Sequence, residues 1–214
     1  MILVYVWRPL GALGGVSGAS VGHGAMLVLP DPGRPARGRY ISWWPIAVTA
    51  GEAITNTSVR AYANTWDEDR RDMHRPVDRC FRLNATGRDF DETAIIVDWD
   101  RSVDTTIVSR ERPAYRALDR NCCSTVMNLL FGPGGGSRYR GYGPVPATWW
   151  APNDVEAWMD AASRRGIVTP LASVQPPPGG VPTVGREHVT GATGDRLTEL
   201  GRRHATMAPP RPGR

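Results

Sequence analysis

Three short apolar runs near the amino terminus, each closed by a proline, most constrain how this chain can fold. The first, Ile2 to Trp7, ends at Arg8-Pro9; the second, Val21 to Leu29, ends at Pro30; the third, RYISWWP, stops at Pro45. Runs this short, rich in β-branched and aromatic residues, read as strands. Proline closes each because it cannot donate to a ladder. The segment PDPGRPARG between the second and third is a turn by composition, so those two strands form a hairpin. Alternation then places Tyr40, Ser42 and Trp44 on one face and Ile41 and Trp43 on the other. The Gly/Ser/Ala stretch from Gly11 to Ser20 reads as a loop able to lie over a site.

The pattern weakens from Ile46 to Pro76, where the charged cluster WDEDRRDMHR reads as a solvated segment, helical at most. CFRLN is a strand. DFDETAIIVDWDRS opens with Asp89, Asp91 and Glu92, which favour a helix amino terminus; a strand through Ile95, Ile96 and Val97 is the alternative. The clearest helix follows Asn121, a good N-cap, and runs to Phe131, where Gly132-Pro133-Gly134 stops it. Cys122, Val126, Leu129 and Leu130 share one face of it. GPGGGSRYRGYG lacks the Lys-Ser/Thr ending of a phosphate loop and reads as a mobile loop near the site. WWAPNDVEAWMDAA is a last short helix, capped by Asn153 or Asp154, with Val155, Trp158 and Met159 inward. The paired tryptophans Trp43–Trp44 and Trp149–Trp150 suit either core packing or the lining of a substrate cleft.

With 214 residues the chain suits one domain with an appendage. We expect a domain over 1–165 and a mostly disordered Pro/Gly/Arg-rich tail over 166–214. All 26 basic side chains are Arg, and the net charge of +5 lies entirely from Arg164 onward, where eight Arg face three acids. A basic tail can attract an anionic partner, but a solvated tail explains the charge as well, and nothing points to specific nucleic-acid binding. The amino terminus lacks the basic leader and small-residue cleavage site of a secretory signal, and no apolar run is long enough to span a membrane. Synthesis in the cytoplasm is therefore expected, with any export by a signal-independent route.

Three cysteines, two of them adjacent, make a poor disulfide framework, and no Cys/His spacing suggests a metal; no cofactor is implied. Free thiols are the expectation. A thiol becomes a nucleophile when its pKa falls, and a helix amino terminus with a nearby imidazole supplies that shift. Cys122 has the helix position, and His23, in SVGHGAMLV, is the one histidine in an apolar, strand-like setting. Cys123 is the rival nucleophile, about 100° around the helix, so only one of the two can face His23. Unpaired N–H groups at the helix start can stabilise an oxyanion. The third member, which holds the imidazole, falls to Ser42 or Tyr40 on the hairpin, with Asp98 or Asp100 less local. His74, His188 and His204 read as exposed.

The series WRPL, VGHGAMLV, YISWWP, DRCFRLN, Tyr115 and RNCCSTVMNLL, then WWAPNDVEAW, resembles the permuted branch of the NlpC-type papain-like cysteine hydrolases over roughly residues 1–162. Lecithin:retinol acyltransferase relatives and several bacterial antagonistic effectors belong to it. The resemblance implies an α+β, circularly permuted papain-like fold: a small antiparallel sheet on helices, with His23 on an early strand as base and Cys122 at a later helix start as nucleophile. Two departures stand out: Cys123 where a small residue is common, and Gly24 where Ala or Ser is commoner.

The leading expectation is a cysteine hydrolase that forms an acyl-enzyme on amide bonds, first of all in cell-wall peptide, also as a secreted antibacterial effector with a secretion apparatus or immunity protein as partner. Lipid acyl transfer or deacylation uses the same pair. A protein modifier such as a deamidase shares the chemistry, and a non-catalytic binding module is the alternative of another class.

Overall fold

The structure, a computed structural model, describes residues 1–10, 22–45, 61–84, 89–103, 115, 120–146 and 149–182. Six strands form one antiparallel sheet: β1 (Ile2–Trp7), β2 (His23–Val28), β3 (Arg39–Pro45), β4 (Ala61–Ala63), β5 (Arg79–Leu83) and β6 (Val168–Pro170). Their spatial order is β4-β3-β2-β1-β5-β6. The α-helices are α1 (Trp66–Met73), α2 (Glu92–Val103), α3 (Cys122–Phe131) and α4 (Pro152–Ser163), making the architecture α+β.

Every residue of β1 and β2 is buried, which explains why these strands read as continuous apolar runs. Ile2, Val4, Val6, Met26, Val28, Ile41 and Trp43 face a core completed by α2, α3 and α4. Leu3, Tyr5, Trp7, Ala25, Leu27 and Tyr40 face a second layer, in which Met73 and Val77 are buried and Trp66 packs. The expected hairpin is present, with Ala25 opposite Ser42. Trp150 is buried, while Trp149 stays 40% exposed.

Local signals account for the helix starts. Asp91 accepts the Ala94 N–H at 2.8 Å and caps α2, the helical alternative of the two weighed for that segment. Asn121 accepts the Ser124 N–H at 2.7 Å and caps α3. At α4 the cap differs from expectation: Ala151 stands at the N-cap, and Asp154 reaches back to its N–H at 2.9 Å, while Asn153 takes no part. Pro152 leads the helix, where its missing N–H costs nothing.

Three compositional expectations are corrected. WDEDRRDMHR is solvated on one side only: Asp69 and Met73 are buried, because Trp66, Asp69 and Met73 recur on one face of α1. GPGGGSRYRGYG contains a 3-10 helix, Gly136–Tyr142, with Gly136 against the Phe90 ring and Tyr139 buried. It follows the carboxyl end of α3, at the far end from Cys122. The boundary at 165 is also too early, because Val168–Pro170 pairs with β5 as an edge strand. Beyond it the Tyr5 hydroxyl donates to the Gln175 carbonyl at 2.7 Å, and Leu171, Val174 and Val181 cover the second layer. Scattered apolar residues among prolines hold that segment, which proline content alone conceals. The Gly11–Ser20 loop, His188 and His204 lie outside the described residues, and His74 is exposed as expected.

Candidate active site

His23 opens β2 opposite Trp7, with its backbone led in by Gly22 at φ +74°. A side chain at Gly22 would meet the Trp7 carbonyl oxygen at 2.5 Å, so this tight entry requires glycine. The His23 side chain is 1% exposed and lies between indole rings, 5.4 Å from Trp7 and 4.6 Å from Trp44 by centroids. Its Nε2 sits 3.0 Å from Ser42 Oγ and 3.2 Å from Asp69 Oδ2.

Asp69 is the organising group, and sequence reasoning places it in solvent. It is fully buried, and its carboxylate accepts from Tyr40 OH (2.6 Å), Ser42 Oγ (2.9 Å), Trp44 Nε1 (2.6 Å) and Asn64 Nδ2 (2.9 Å). Tyr40, Ser42 and Trp44 reach it together because they alternate onto one face of β3. Ser42 and Tyr40, the sequence candidates for the third member, thus gather around the imidazole by way of a carboxylate. Asp100 pairs instead with Arg39 through two contacts of 2.8 Å, and Asp98 lies on α2. The missed signal was Thr65-x-x-Glu68, a capping box that starts α1 and so sets which face Asp69 occupies.

The proton roles follow from these contacts. Ser42 donates to Asp69, so its oxygen must accept from Nε2–H. Nδ1 then remains to face the thiol, and Cys122 and His23 shift each other's pKa. Burial alone would lower the imidazole pKa, but the Asp69 carboxylate and then Cys122 outweigh it and raise it to about 10. Burial likewise opposes the Asp69 charge, yet His23 and the hydroxyl and amide donors hold it below the usual carboxylate range.

Cys122 stands at the first position of α3 with Asn121 as its cap, and the Asn121 amide donates to the Trp150 carbonyl at 3.0 Å. The Cys122 thiol is pulled well below its ordinary value. The Cys123 thiol contributes most, burial opposes, and His23 and the Gly24 backbone N–H add to the fall. Cys123, with its sulfur 3.9 Å away, is pushed well up by burial and by the neighbouring thiol. The two thiols are therefore shifted in opposite directions, Cys122 down and Cys123 up. Burial and then both cysteines raise the Tyr115 pKa well above normal, against the opposing pull of the Cys122 backbone N–H.

Gly24 sets the approach of α3 to the sheet. A Cβ there would lie 2.9 Å from Cys123 Sγ and 3.5 Å from Cys123 Cα. The absence of a side chain at Gly24 leaves the room that the Cys123 side chain occupies across the β2–α3 contact. Among the described residues no cluster of His, Cys, Asp or Glu could hold a metal ion, and no helix is long and apolar enough to cross a membrane. No protein-family model matches the chain, and neither a curated protein nor a solved structure matches it.

Proposed function

We propose that this protein is a cysteine hydrolase of amide bonds, with Cys122 as nucleophile, His23 as general base and acid, and Asp69 as the group that positions the imidazole. The fold is read as a permuted papain-like one, with the histidine strand preceding the cysteine helix. The observation that carries the proposal is the buried constellation itself: a thiol at a helix amino terminus that His23 helps to lower, an imidazole 3.2 Å from a carboxylate, and four further donors holding that carboxylate. A structural core has little use for so much buried charge, whereas a thiolate–imidazolium pair depends on it.

In this reading the Cys122 thiolate adds to the carbonyl carbon, forming the S–C bond as the carbonyl π pair moves onto oxygen. That oxyanion takes the backbone N–H groups at the start of α3, beside Cys122, which have no acceptor within the helix. Collapse breaks the C–N bond, and the amine leaves with the proton carried by His23. Water then adds to the thioester, passes its proton to His23, and the carboxylic acid departs as the thiolate returns.

The test is intact-mass labelling with iodoacetamide near neutral pH. One adduct at Cys122 is expected, lost in Cys122→Ala, strongly slowed in His23→Ala and retained in Cys123→Ala. Labelling that disappears only in Cys123→Ala would overturn the nucleophile assignment.

A further inference from the structure

A cleft of about 290 Å³ opens between α2 and α3, walled by Trp43 of β3, Trp99 of α2, and Leu129 and Pro133 at the far end of α3. We infer that it seats an apolar side chain of a peptide substrate, beside the scissile amide. This rests on the cysteine-hydrolase reading for its chemistry, but not for the existence of the binding site.

Position is the first argument. Thr125 lines the near end of the cleft, and it lies one turn beyond Cys122 on the same helix face, about 5–6 Å between Cβ atoms. Arg120, two residues before Cys122, lines it as well. Cys122 therefore has cleft residues as close chain neighbours on both sides, and a group seated in the cleft places its flanking amide near the thiol.

The lining is the second. Trp43 and Trp99 meet edge to face, with ring centroids 5.7 Å apart at 82°, and present a stiff aromatic wall. Trp43 and Trp99 are 8% and 1% exposed, so the wall is apolar and held rigid by packing. An apolar wall with a few polar groups is the usual make-up of a ligand site.

The length and charge of the cleft favour a peptide over a lipid. From Thr125 to Pro133 the cleft follows α3 for only about 12 Å. Asp98 and Arg120 bring opposite charges to its lining, and among the described residues no ion pair joins them. A long acyl chain would lay methylenes against both charged groups and desolvate them at a cost. An apolar side chain fits the wall, and its own amides can meet Asp98, Arg120 and the exposed Asn128.

The experiment uses wild-type protein and capped tripeptide amides with Leu, Phe or Gly at the centre, followed by the indole N–H resonances of Trp43 and Trp99. Leu and Phe peptides are expected to shift these resonances and to bind about tenfold or more tighter than the Gly peptide. Asn128→Phe, which fills the cleft from an exposed position, should abolish that preference, while Asn128→Gln should keep it. Indole resonances unmoved by the Leu peptide, equal affinity for Leu and Gly, or a preference that survives Asn128→Phe would each overturn the inference. Binding of palmitate to the cleft in place of the peptides would overturn the choice of occupant. Iodoacetamide labelling of Cys122, run on the same samples, tests the nucleophile separately: its failure removes the hydrolase reading and leaves the binding result standing.

Discussion

Stability against pH reports whether Cys122 and His23 exist as an ion pair in the folded protein. In the unfolded chain a histidine titrates near ~6.5 and a cysteine near ~8.5. Folding raises the imidazole to about 10 and lowers the thiol. The raised imidazole contributes its stability in full below ~6.5 and loses it as pH climbs through its folded value. The lowered thiol contributes in full above ~8.5 and loses it as pH falls towards its folded value. Between roughly 6.5 and 8.5 the two slopes cancel, because folding there only moves a proton from sulfur to nitrogen. The wild type should therefore hold a flat free energy of unfolding across that interval. Above ~8.5 the imidazole slope stands alone at about 1.4 kcal/mol per pH unit, so about 2 kcal/mol disappears by the folded value of His23. Cys122→Ala removes the compensating slope, and its stability should fall from ~6.5 upward, diverging from wild type by up to about 3 kcal/mol at pH ~8.5. Urea unfolding followed by tryptophan fluorescence in half-unit pH steps measures both curves. Parallel curves across the interval would refute the ion pair, since a neutral thiol and a neutral imidazole give no such divergence.

Three further outcomes are expected. Asp69→Asn leaves buried donors confronting an amide and removes the partner of the imidazolium, so stability should drop by about 3–5 kcal/mol and Cys122 labelling should slow; an unchanged urea midpoint would contradict the hub role. Gly24→Ala drives a Cβ to 2.9 Å from Cys123 Sγ and should cost about 1–3 kcal/mol, much of it relieved by adding Cys123→Ala, so a double-mutant cycle with strictly additive effects counts against the close Gly24–Cys123 contact. Ending the chain after 165 removes Val168 and the residues that cover the second layer, and calorimetry should show a loss of about 2 kcal/mol or more; equal stability would restore the earlier boundary.

What the sequence determined by itself was whatever depends on neighbours along the chain. Proline-closed β-rich runs marked β1, β2 and β3, the PDPGRPARG turn made the hairpin, and alternation put Tyr40, Ser42 and Trp44 on one face. Asn121 and the Gly132-Pro133-Gly134 stop bounded α3, so Cys122 came at a helix start without knowledge of any contact. These are short-range consequences of backbone sterics and of unpaired N–H groups, which a few residues specify.

Only the tertiary structure decided what depends on residues distant in sequence. Asp69 reads as one acid among many in a charged segment, yet it is buried because α1 turns that face onto the sheet, where four donors from β3 and Asn64 repay its desolvation. The opposite shifts of the two thiols required Gly24 and His23 to meet α3 across about a hundred residues. Composition hid β6 as well, since an edge strand needs only a partner ladder and one buried valine, which a proline-rich stretch can supply.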